Sequence, residues 1–572
     1  SDYQNKLYMI SHVRIQNLRS LVDTGFVEIK PLTILLGSNS SGKSTFLRSF
    51  PLFKQSVSKP LREPISWFDD SLVDFGDYET AKSRLVPEEE GIKFSYRLQS
   101  PYCLIGALRQ HSSFRSNQNL QKSISEIINN CEFELSFQKD SKGGIYVNGV
   151  EIKTGDLKIS FSTRERNGWV YIMVNDSPLD SEIKYRWNYG PRNVLVPEFE
   201  TRRTNDSQVI HIEDDLEILA MEAIRKHCRR TLTNLDRIRS LINNWTIDKT
   251  AYLNSLKNAS SLSTLRKHAV LWTETSEDFL AIYNLIAASR SIYCFAVLDM
   301  ELREQYQNCS YVTPLRAAAN RYYRSQGLQV RDVDPYGRNL PEFISSLSQY
   351  RKTDYEDFTE KVLGLRVTVE NRNGHQSIIL KNSKAKSERN MTDVGFGYSQ
   401  ILPIITKLWN TKFNGQDGPK GYYYQNFERE LIAIEQPELH LHPAMQARTA
   451  DIMMLTLNEL KDLENLRRDR YIKRRTEEDD IFYPSSYTLA PLMLVETHSQ
   501  AMINRVGKRI REKRFSADDV SILLFEKDEN TGVTNITPIT YNEKGQLTNW
   551  PYGFFEPTDN DYDFLFDRQL KG

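Results

Sequence analysis

Residues 32–45 read LTILLGSNSSGKST, an apolar run that stops at a glycine and is followed by Gly-Lys-Ser. The stretch fits the P-loop pattern Gly-x-x-x-x-Gly-Lys-Ser/Thr, since 32–36 has the composition of a buried strand and 45–53 that of an amphipathic helix. A strand, a glycine loop and a helix N-terminus direct backbone N–H groups at a polyphosphate. Lys43 would then reach the phosphates of ATP and Ser44 would bind Mg²⁺, roles that a plain turn would not require. The predicted nucleotide-binding residues are Gly37, Ser38, Asn39, Ser40, Ser41, Gly42, Lys43, Ser44 and Thr45.

The length and charge of the chain limit the classes of protein to consider. Of its 572 residues, 39% are hydrophobic and 26% are charged, which is typical of a soluble globular protein. This length exceeds what one hydrophobic core usually fills, so we expect roughly two or three subdomains. Lys plus Arg and Asp plus Glu both number 75, so the whole chain has no electrostatic preference for nucleic acid.

The cysteines indicate a reducing compartment. There are five, an odd number, scattered along the chain without a Cys-x-x-Cys pair, so we expect reduced thiols in a cytoplasmic protein. The first residues lack the charged-then-apolar pattern of a signal peptide. No uncharged apolar run reaches about 18 residues, so we expect no membrane span.

The periodicity of apolar residues changes along the chain. Strand-like alternation with turn signals such as Asn148-Gly149 occupies residues 60–200 and predicts an antiparallel meander. Residues 210–310 follow the helical period without sustained heptads, which favours a helical insertion over a long coiled coil. We therefore expect an N-terminal lobe at 1–200, a helical insertion for an arm or dimerisation at 201–310, and a C-terminal lobe at 311–572.

Three segments of the C-terminal lobe carry candidate site residues. Residues 392–403 read TDVGFGYSQILP, where small residues open an apolar helix, so this helix N-terminus is a second candidate anion site. Residues 431–443 read LIAIEQPELHLHP, and an apolar strand ending at Glu435 places a carboxylate at the edge of a parallel sheet, where Mg²⁺ would lie. Residues 491–500 read PLMLVETHSQ, a further apolar strand that ends in Thr-His-Ser.

In this order the segments resemble ABC-type ATPases of the RecF, Rad50 and OLD group. Further matches are the hairpin corner QNLRS at 16–20, the segments YVTPLR at 311–316 and VDPYGRNL at 333–340, and the tail WPYGFF at 550–555. The last three are similar to an OLD-like prokaryotic group that includes the PtuA component of Septu antiphage systems and of some retrons. The resemblance implies an α/β ABC-type ATPase head with a P-loop mixed sheet and an antiparallel β layer, to which the unmatched helical insertion is added.

The resemblance also implies a role for each candidate residue. The segment that opens the apolar helix looks like a divergent signature motif, which would bind the γ-phosphate held by a partner subunit, so that ATP clamps at least two protomers together. Its predicted binding residues are Gly395, Gly397, Ser399 and Gln400. Glu435 takes the Walker B role and would hold Mg²⁺ with Ser44. His498 corresponds to the switch histidine that contacts the γ-phosphate.

Gln436 departs from the general ABC pattern. It occupies the position at which most ABC-type ATPases have the glutamate that polarises the attacking water. An amide orients a water but cannot accept its proton, so we expect slow turnover or a transfer of this task to Glu438. The predicted catalytic residues are Gln436, Glu438 and His498. His440 and His442 are read as part of a turn before Pro443 rather than as metal ligands.

Partners are predicted from the same resemblance. OLD nucleases carry a Toprim domain after the ATPase, and few residues follow His498, so we expect a separate nuclease, an HNH protein similar to PtuB. A retron reverse transcriptase with its nucleic acid is a second candidate partner. Four arginines spaced along one side of a helix are candidates for DNA or RNA contact, although such a run is commonly a solvated helix face. They are Arg467, Arg468, Arg474 and Arg475.

Three functions remain open from the sequence. The leading hypothesis is an ABC-type ATPase that dimerises around ATP and acts as the regulatory scaffold of a bacterial antiphage complex with a separate nuclease. The first alternative is a RecF-like or Rad50-like DNA-binding ATPase of DNA repair, which the neighbouring genes would distinguish. The second is an ATP-binding structural protein with little turnover, which Gln436 keeps open.

Overall fold

A computed structural model describes most of the chain. The described residues are 10–98, 118–179, 184–188, 194–200, 202–203, 209–229, 235–413, 427–475, 487–488 and 490–549. The tail 550–555 lies outside them, and the side chains of the four candidate arginines of the helix Pro443–Arg475 are likewise outside the described part.

The P-loop lies in a seven-stranded sheet with five parallel strands. The P-loop strand Leu32–Gly37 is flanked by Leu492–Glu496 on one side and by Val520–Lys527 on the other, and all three run parallel. The full strand order is Cys309–Val312, Leu431–Glu435, Leu492–Glu496, Leu32–Gly37, Val520–Lys527, Thr534–Tyr541 and Leu547–Thr548, the last two antiparallel to their neighbours. Glu435 therefore ends a strand that is separated from the P-loop strand by the strand of Glu496.

This sheet is buried on both faces, which explains why its central strands read as unbroken apolar runs. Successive side chains of a strand point to opposite faces, so Leu35 packs in one hydrophobic core while Ile34 and Leu36 pack in another. The first core also holds the antiparallel sheet and the helical insertion. The second holds the helices of the C-terminal lobe.

The predicted antiparallel meander is confirmed as a nine-stranded sheet. From Ile92–Leu98 onward, consecutive strands pair antiparallel, and the helix Gln118–Ile128 lies in the connection between the first two. Ile10–Leu18 and Leu21–Asp23 complete the layer at its other end. Its path is Ser177–Pro178, Tyr171–Val174, Leu157–Ser162, Ile145–Thr154, Glu132–Lys139, Ile92–Leu98, Ile10–Leu18 and Leu21–Asp23, and Val27–Glu28 also pairs with Ile10–Leu18.

The P-loop helix, Lys43–Val57, is longer than predicted and is buried on nearly all sides. It lies between the P-loop sheet and the long helix Glu277–Gln307, and Phe53 stacks on Tyr306 with ring centroids 4.7 Å apart. A second layer thus covers much of the face that an amphipathic helix would turn to solvent, and only Ser44, Arg48 and Lys54 are partly exposed.

Helices fill the insertion, as predicted. They are Ile212–Lys226, Asp236–Asn243, Lys249–Lys257, Ser263–Ala269 and Glu277–Gln307. The last of these is long and apolar enough to cross a membrane by length and composition, but 67% of its most apolar window is buried inside the protein. Its apolar side chains are thus core residues that pack on the P-loop helix and on Ile212–Lys226.

The C-terminal lobe adds a four-stranded sheet and several helices. The sheet comprises Tyr323–Arg324, His375–Asn382, Arg366–Arg372 and Ser387–Asn390. The α-helices are Leu340–Ser346, Gln349–Leu363, Phe396–Asn410, Pro443–Arg475 and Gln500–Arg511.

Smaller elements occur along the whole chain. Two further helices are Tyr78–Ala81 and Gln118–Ile128, and the 3₁₀ turns are Met391–Asp393, Thr411–Phe413 and Ala517–Asp519. The short strand pairs are Trp187–Asn188 with Glu198–Phe199, Arg202–Arg203 with Val209–Ile210, and Phe427–Glu428 with Tyr487–Thr488. The predicted α/β architecture of P-loop sheet, antiparallel layer and helical insertion is confirmed.

Candidate functional site

The P-loop has the backbone of a phosphate cradle. Gly37, Ser40 and Gly42 all have positive φ (150°, 61° and 97°), so the loop turns back on itself before the helix begins at Lys43. A Cβ on Gly37 would lie 2.3 Å from the carbonyl oxygen of Phe525, so only glycine fits there. Ser38, Asn39 and Ser40 are exposed at the tip. The loop is therefore shaped at its base by the protein and open at its tip.

Lys43 is folded over the loop. Its Nζ donates to the carbonyl oxygens of Gly37 at 3.0 Å and Ser38 at 2.6 Å, and the side chain is 3% exposed. Burial lowers the pKa of Lys43, and the nearby carboxylates of Glu496 and Glu438 partly offset this effect. A cation held by two carbonyls inside a glycine loop is placed to transfer to a polyphosphate, which offers stronger acceptors.

Ser44 contacts a carboxylate that sequence reasoning missed. Its hydroxyl donates to Glu496 Oε1 at 2.9 Å, across 452 residues of chain. Glu496 ends the strand next to the P-loop strand and is 3% exposed. The sequence does carry a signal for it, since Glu496 ends an apolar strand just as Glu435 does.

Glu435 is held by two neighbouring side chains. Arg48 of the P-loop helix binds it in a bidentate manner, with Nε to Oε1 at 2.6 Å and Nη2 to Oε2 at 2.8 Å. The Tyr311 hydroxyl donates to Oε1 at 2.7 Å. The structure thus places Glu435 at the predicted sheet edge, but both of its oxygens are engaged by protein donors.

Glu438 holds the turn at Thr497 and His498 through two hydrogen bonds. Its Oε2 accepts from the Thr497 hydroxyl at 2.7 Å and its Oε1 accepts from the His498 backbone N–H at 2.7 Å. Burial raises the pKa of Glu438, and these two hydrogen bonds oppose the shift. With one hydrogen bond at each oxygen, Glu438 fixes the turn that presents His498.

His498 is exposed at the same edge. Partial burial of the ring and the positive charge of Lys43 lower the pKa of His498, which favours the neutral imidazole. Ser499 caps the following helix by accepting from the Met502 N–H at 3.1 Å. The predicted switch histidine and the P-loop lysine are therefore brought together.

Gln436 follows Glu435 in a strained turn. Its φ is 43°, and its N–H donates to the Glu496 carbonyl at 2.8 Å. The buried Arg316 donates to the Gln436 carbonyl at 3.1 Å and to the Glu435 carbonyl at 3.4 Å. Burial lowers the pKa of Arg316 to about 10. Arg316 ends the segment 311–316 and fixes the turn after the Glu435 strand. The sequence gives no indication of this role.

The signature-like segment opens a separate helix, Phe396–Asn410. Gly395 precedes it with φ 98°, and a Cβ there would meet nothing within 4 Å. Phe396 is 51% exposed and packs edge-on against His440, with ring centroids 5.1 Å apart. Ser399 and Gln400 are buried, and Gln400 makes a long hydrogen bond to the Arg316 carbonyl at 3.5 Å.

The structure brings some predicted residues together and keeps others apart. Lys43, Ser44, Glu435, Glu438 and His498 lie around one end of the P-loop sheet. Within the described residues, no hydrogen bond joins the signature-like segment 395–400 to the loop 37–45. His440 and His442 belong to a turn, and no group of three or more metal-ligating side chains is found in the part of the chain that the structure describes.

Two orphaned atoms test whether a cation and a phosphate fit here. Ser41 Oγ and Glu496 Oε2 are buried without a hydrogen-bond partner. Buried polar atoms are normally paired, so each favours a group that would satisfy it. A hydroxyl in the loop suits a phosphate oxygen, and a carboxylate oxygen beside Ser44 suits a divalent cation.

Comparison with protein families agrees with this geometry. The model of the AAA ATPase domain matches residues 9–277 and 325–503, which is most of the chain. This chain belongs to the AAA ATPase domain family. A model described as a protein of unknown function (DUF3696) matches residues 515–565 of this AAA ATPase. No curated protein matches it.

Solved structures similar to this AAA ATPase are heads of SMC proteins. The SMC head domain from Thermotoga maritima is 8% identical with a TM-score of 0.31, over 93% of this chain and 98% of that one. The Smc head domain with a coiled coil and joint from Pyrococcus yayanosii is 11% identical with a TM-score of 0.32, over 94% and 98%. The SmcHead bound to the C-winged helix domain of ScpA is 10% identical with a TM-score of 0.33, over 93% and 98%.

The family assignment establishes the general activity. An AAA ATPase domain with an intact P-loop binds a nucleotide and hydrolyses it, typically with Mg²⁺.

Proposed function

We propose that this protein is an ABC-type ATPase that binds ATP between two copies of itself. The observation that carries the proposal is the separation of two anion-binding helix ends within one chain. The P-loop end has Lys43, Ser44 and adjacent carboxylates. The exposed Gly395 end has open space beside the glycine and, among the described residues, no hydrogen bond to the P-loop. An exposed helix N-terminus with no ligand of its own suits a phosphate held by another copy.

In this arrangement each group has a defined task. The P-loop N–H groups and Lys43 would bind the phosphates. Ser44 with a carboxylate at the end of a neighbouring strand would hold Mg²⁺, which neutralises charge on the transferred phosphoryl group. His498 and the Gly395 end would contact the γ-phosphate from opposite sides. Gln436 would orient water without accepting its proton, so ATP acts more as a clamp than as a rapidly consumed fuel.

Phe396→Glu tests the composite site. Phe396 is exposed in the first helical turn. A carboxylate there interacts favourably with the helix dipole, so the helix is retained, but it repels the negative charge of a polyphosphate. We expect wild-type affinity for a fluorescent ATP analogue and loss of ATP-induced dimers in light scattering. Tyr350→Glu is the matched control, since Tyr350 is 74% exposed in the first turn of Gln349–Leu363. Dimers that persist in Phe396→Glu would contradict the proposal.

A mixing experiment sharpens the test. Lys43→Ala lacks a working P-loop and Phe396→Glu lacks a working signature end, so each alone is expected to be inactive. A heterodimer of the two would contain one intact composite site. Recovery of roughly half the wild-type turnover per heterodimer on mixing supports shared sites, and no recovery contradicts them.

We further propose that the ATP-bound dimer is the regulatory scaffold of a bacterial antiphage complex. The support is the sequence resemblance to the OLD-like group with PtuA, in the segments 311–316 and 333–340. The effector would be a separate HNH nuclease similar to PtuB, with or without a retron reverse transcriptase and its nucleic acid. Copurification from the native operon, followed by mass measurement of the assembly, tests this; capture of repair proteins on DNA ends instead would favour the RecF-like alternative.

A further inference from the structure

Two buried carboxylates lie side by side at the edge of the P-loop sheet. Glu435 and Glu496 end neighbouring parallel strands and are paired in register. Directly paired residues of adjacent strands point to the same face of a sheet. Their exposed fractions are 2% and 3%, so water screens neither charge well.

The two carboxylates are not equivalent. Glu435 receives three hydrogen bonds, two from the Arg48 guanidinium and one from the Tyr311 hydroxyl, so its charge is paired and its oxygens are occupied. Glu496 receives one side-chain hydrogen bond, from Ser44, and its Oε2 is buried without a partner. An unpaired buried carboxylate oxygen carries a large desolvation cost, which a cation would remove.

Ser44 is oriented to share that cation. A serine hydroxyl has one proton and two lone pairs, and the proton is directed at Glu496 Oε1. The lone pairs therefore remain available as a ligand on the side of the P-loop. Oxygen ligands from one or two protein groups, completed by phosphate and water, are what Mg²⁺ prefers.

We propose that Glu496, rather than Glu435, is the carboxylate that binds the divalent cation of the nucleotide site together with Ser44. Arg48 and Tyr311 hold Glu435 beside it, on the next strand. This inference rests on the proposed function, since it concerns the cation that accompanies ATP.

The test measures cation binding directly. Mn²⁺ is titrated into the full-length protein with a non-hydrolysable ATP analogue, and bound Mn²⁺ is quantified by electron paramagnetic resonance. We expect Glu496→Gln to weaken Mn²⁺ binding at least about tenfold, equal to about 1.4 kcal/mol. Its affinity for the fluorescent ATP analogue in EDTA should stay at the wild-type value, because the substituted residue faces the cation and not the base or ribose.

Glu435→Gln is the matched control and should change Mn²⁺ affinity less than about threefold, or about 0.65 kcal/mol. Because this change leaves the charge of Arg48 unpaired, the double variant Arg48→Met with Glu435→Gln is measured as well, which removes both charges of the pair.

The outcomes separate the inference from the function on which it rests. Mn²⁺ affinity that falls equally in both glutamate variants, or only when Glu435 is changed, would overturn the inference while leaving nucleotide binding intact. A wild-type protein that binds neither nucleotide nor Mn²⁺ would overturn the proposed function itself.

Discussion

The two helix ends proposed to bind phosphate differ in how much of their surroundings the chain itself supplies. At the P-loop end, Gly37 is pressed against Phe525, Lys43 is buried over the loop carbonyls, and Ser44 meets a carboxylate. At the signature-like end, Gly395 has open space around it and Phe396 is half exposed. The first end is enclosed by the chain itself, and under the proposed function a second copy would enclose the other. The difference teaches that a glycine before a helix does not by itself fix what surrounds the helix end.

The largest expected effect comes from replacing the glycine at each helix end with alanine. In Gly37→Ala the Cβ overlaps the Phe525 carbonyl, and the strain of positive φ is added, so we expect a loss of roughly 3–5 kcal/mol in stability and no ATP binding. In Gly395→Ala only the backbone strain applies, about 1–3 kcal/mol, and ATP binding by the single copy is retained. Thermal unfolding and fluorescent-nucleotide titration measure both. Equal losses at the two positions would show that the ends are equally enclosed.

The turn after the Glu435 strand allows a second, smaller test at the P-loop end. We expect Gln436→Glu to raise ATP turnover by about tenfold or more, since a carboxylate can accept a proton from the attacking water.

Glu438→Gln should instead lower the melting temperature. An amide offers one oxygen, whereas the Thr497 hydroxyl and the His498 N–H both need an acceptor. The lost hydrogen bond costs about 1–3 kcal/mol of stability. Steady-state phosphate release and thermal unfolding distinguish the two. A normal melting temperature with abolished turnover in Glu438→Gln would make Glu438 the catalytic base.

Arg316 connects the two ends and gives the smallest expected effect. It binds the Gln436 carbonyl and its own carbonyl accepts from Gln400 of the signature-like helix. Arg316→Lys keeps the positive charge but loses the planar fork, so we expect about 1 kcal/mol of destabilisation and unchanged ATP affinity. If the Arg316 contacts transmit dimerisation from the Gln400 helix to the Glu435 turn, ATP turnover of the Arg316→Lys dimer falls several-fold. ATP turnover of the monomer should then be the same as in the wild type. Arg338→Lys is the control, because it makes the same exchange of arginine for lysine at an exposed position. Turnover that is unchanged in the dimer would remove the connecting role.

Much of the fold could be predicted because it is encoded in local pattern. The meander between 92 and 178 follows from period-two alternation and its turn signals, and the insertion follows from period 3.6. The near-complete burial of the P-loop helix could not be predicted, since a pattern within one helix does not reveal that the long helix Glu277–Gln307 packs on its outer face.

The candidate site was predictable in its parts and not in its pairings. The positions of Lys43, Ser44, Glu435 and His498 at one sheet edge follow from strands that each end in a polar residue. The free or occupied state of a carboxylate depends on side chains from distant segments. Arg48, for example, is separated from Glu435 by 387 residues, and no spacing in the sequence indicates their contact.

The sequence by itself determined that the chain has a P-loop and a second glycine-led helix end, because consecutive residues shape each of these motifs. The tertiary structure was needed to show that Glu435 is engaged by Arg48 and Tyr311, that Glu438 fixes the His498 turn, and that Glu496 meets Ser44 with one oxygen while its other oxygen has no partner. The physical reason is that a carboxylate's role depends on which donors surround it in a site of low dielectric constant. Those donors come together through strand order rather than through neighbourhood in the chain.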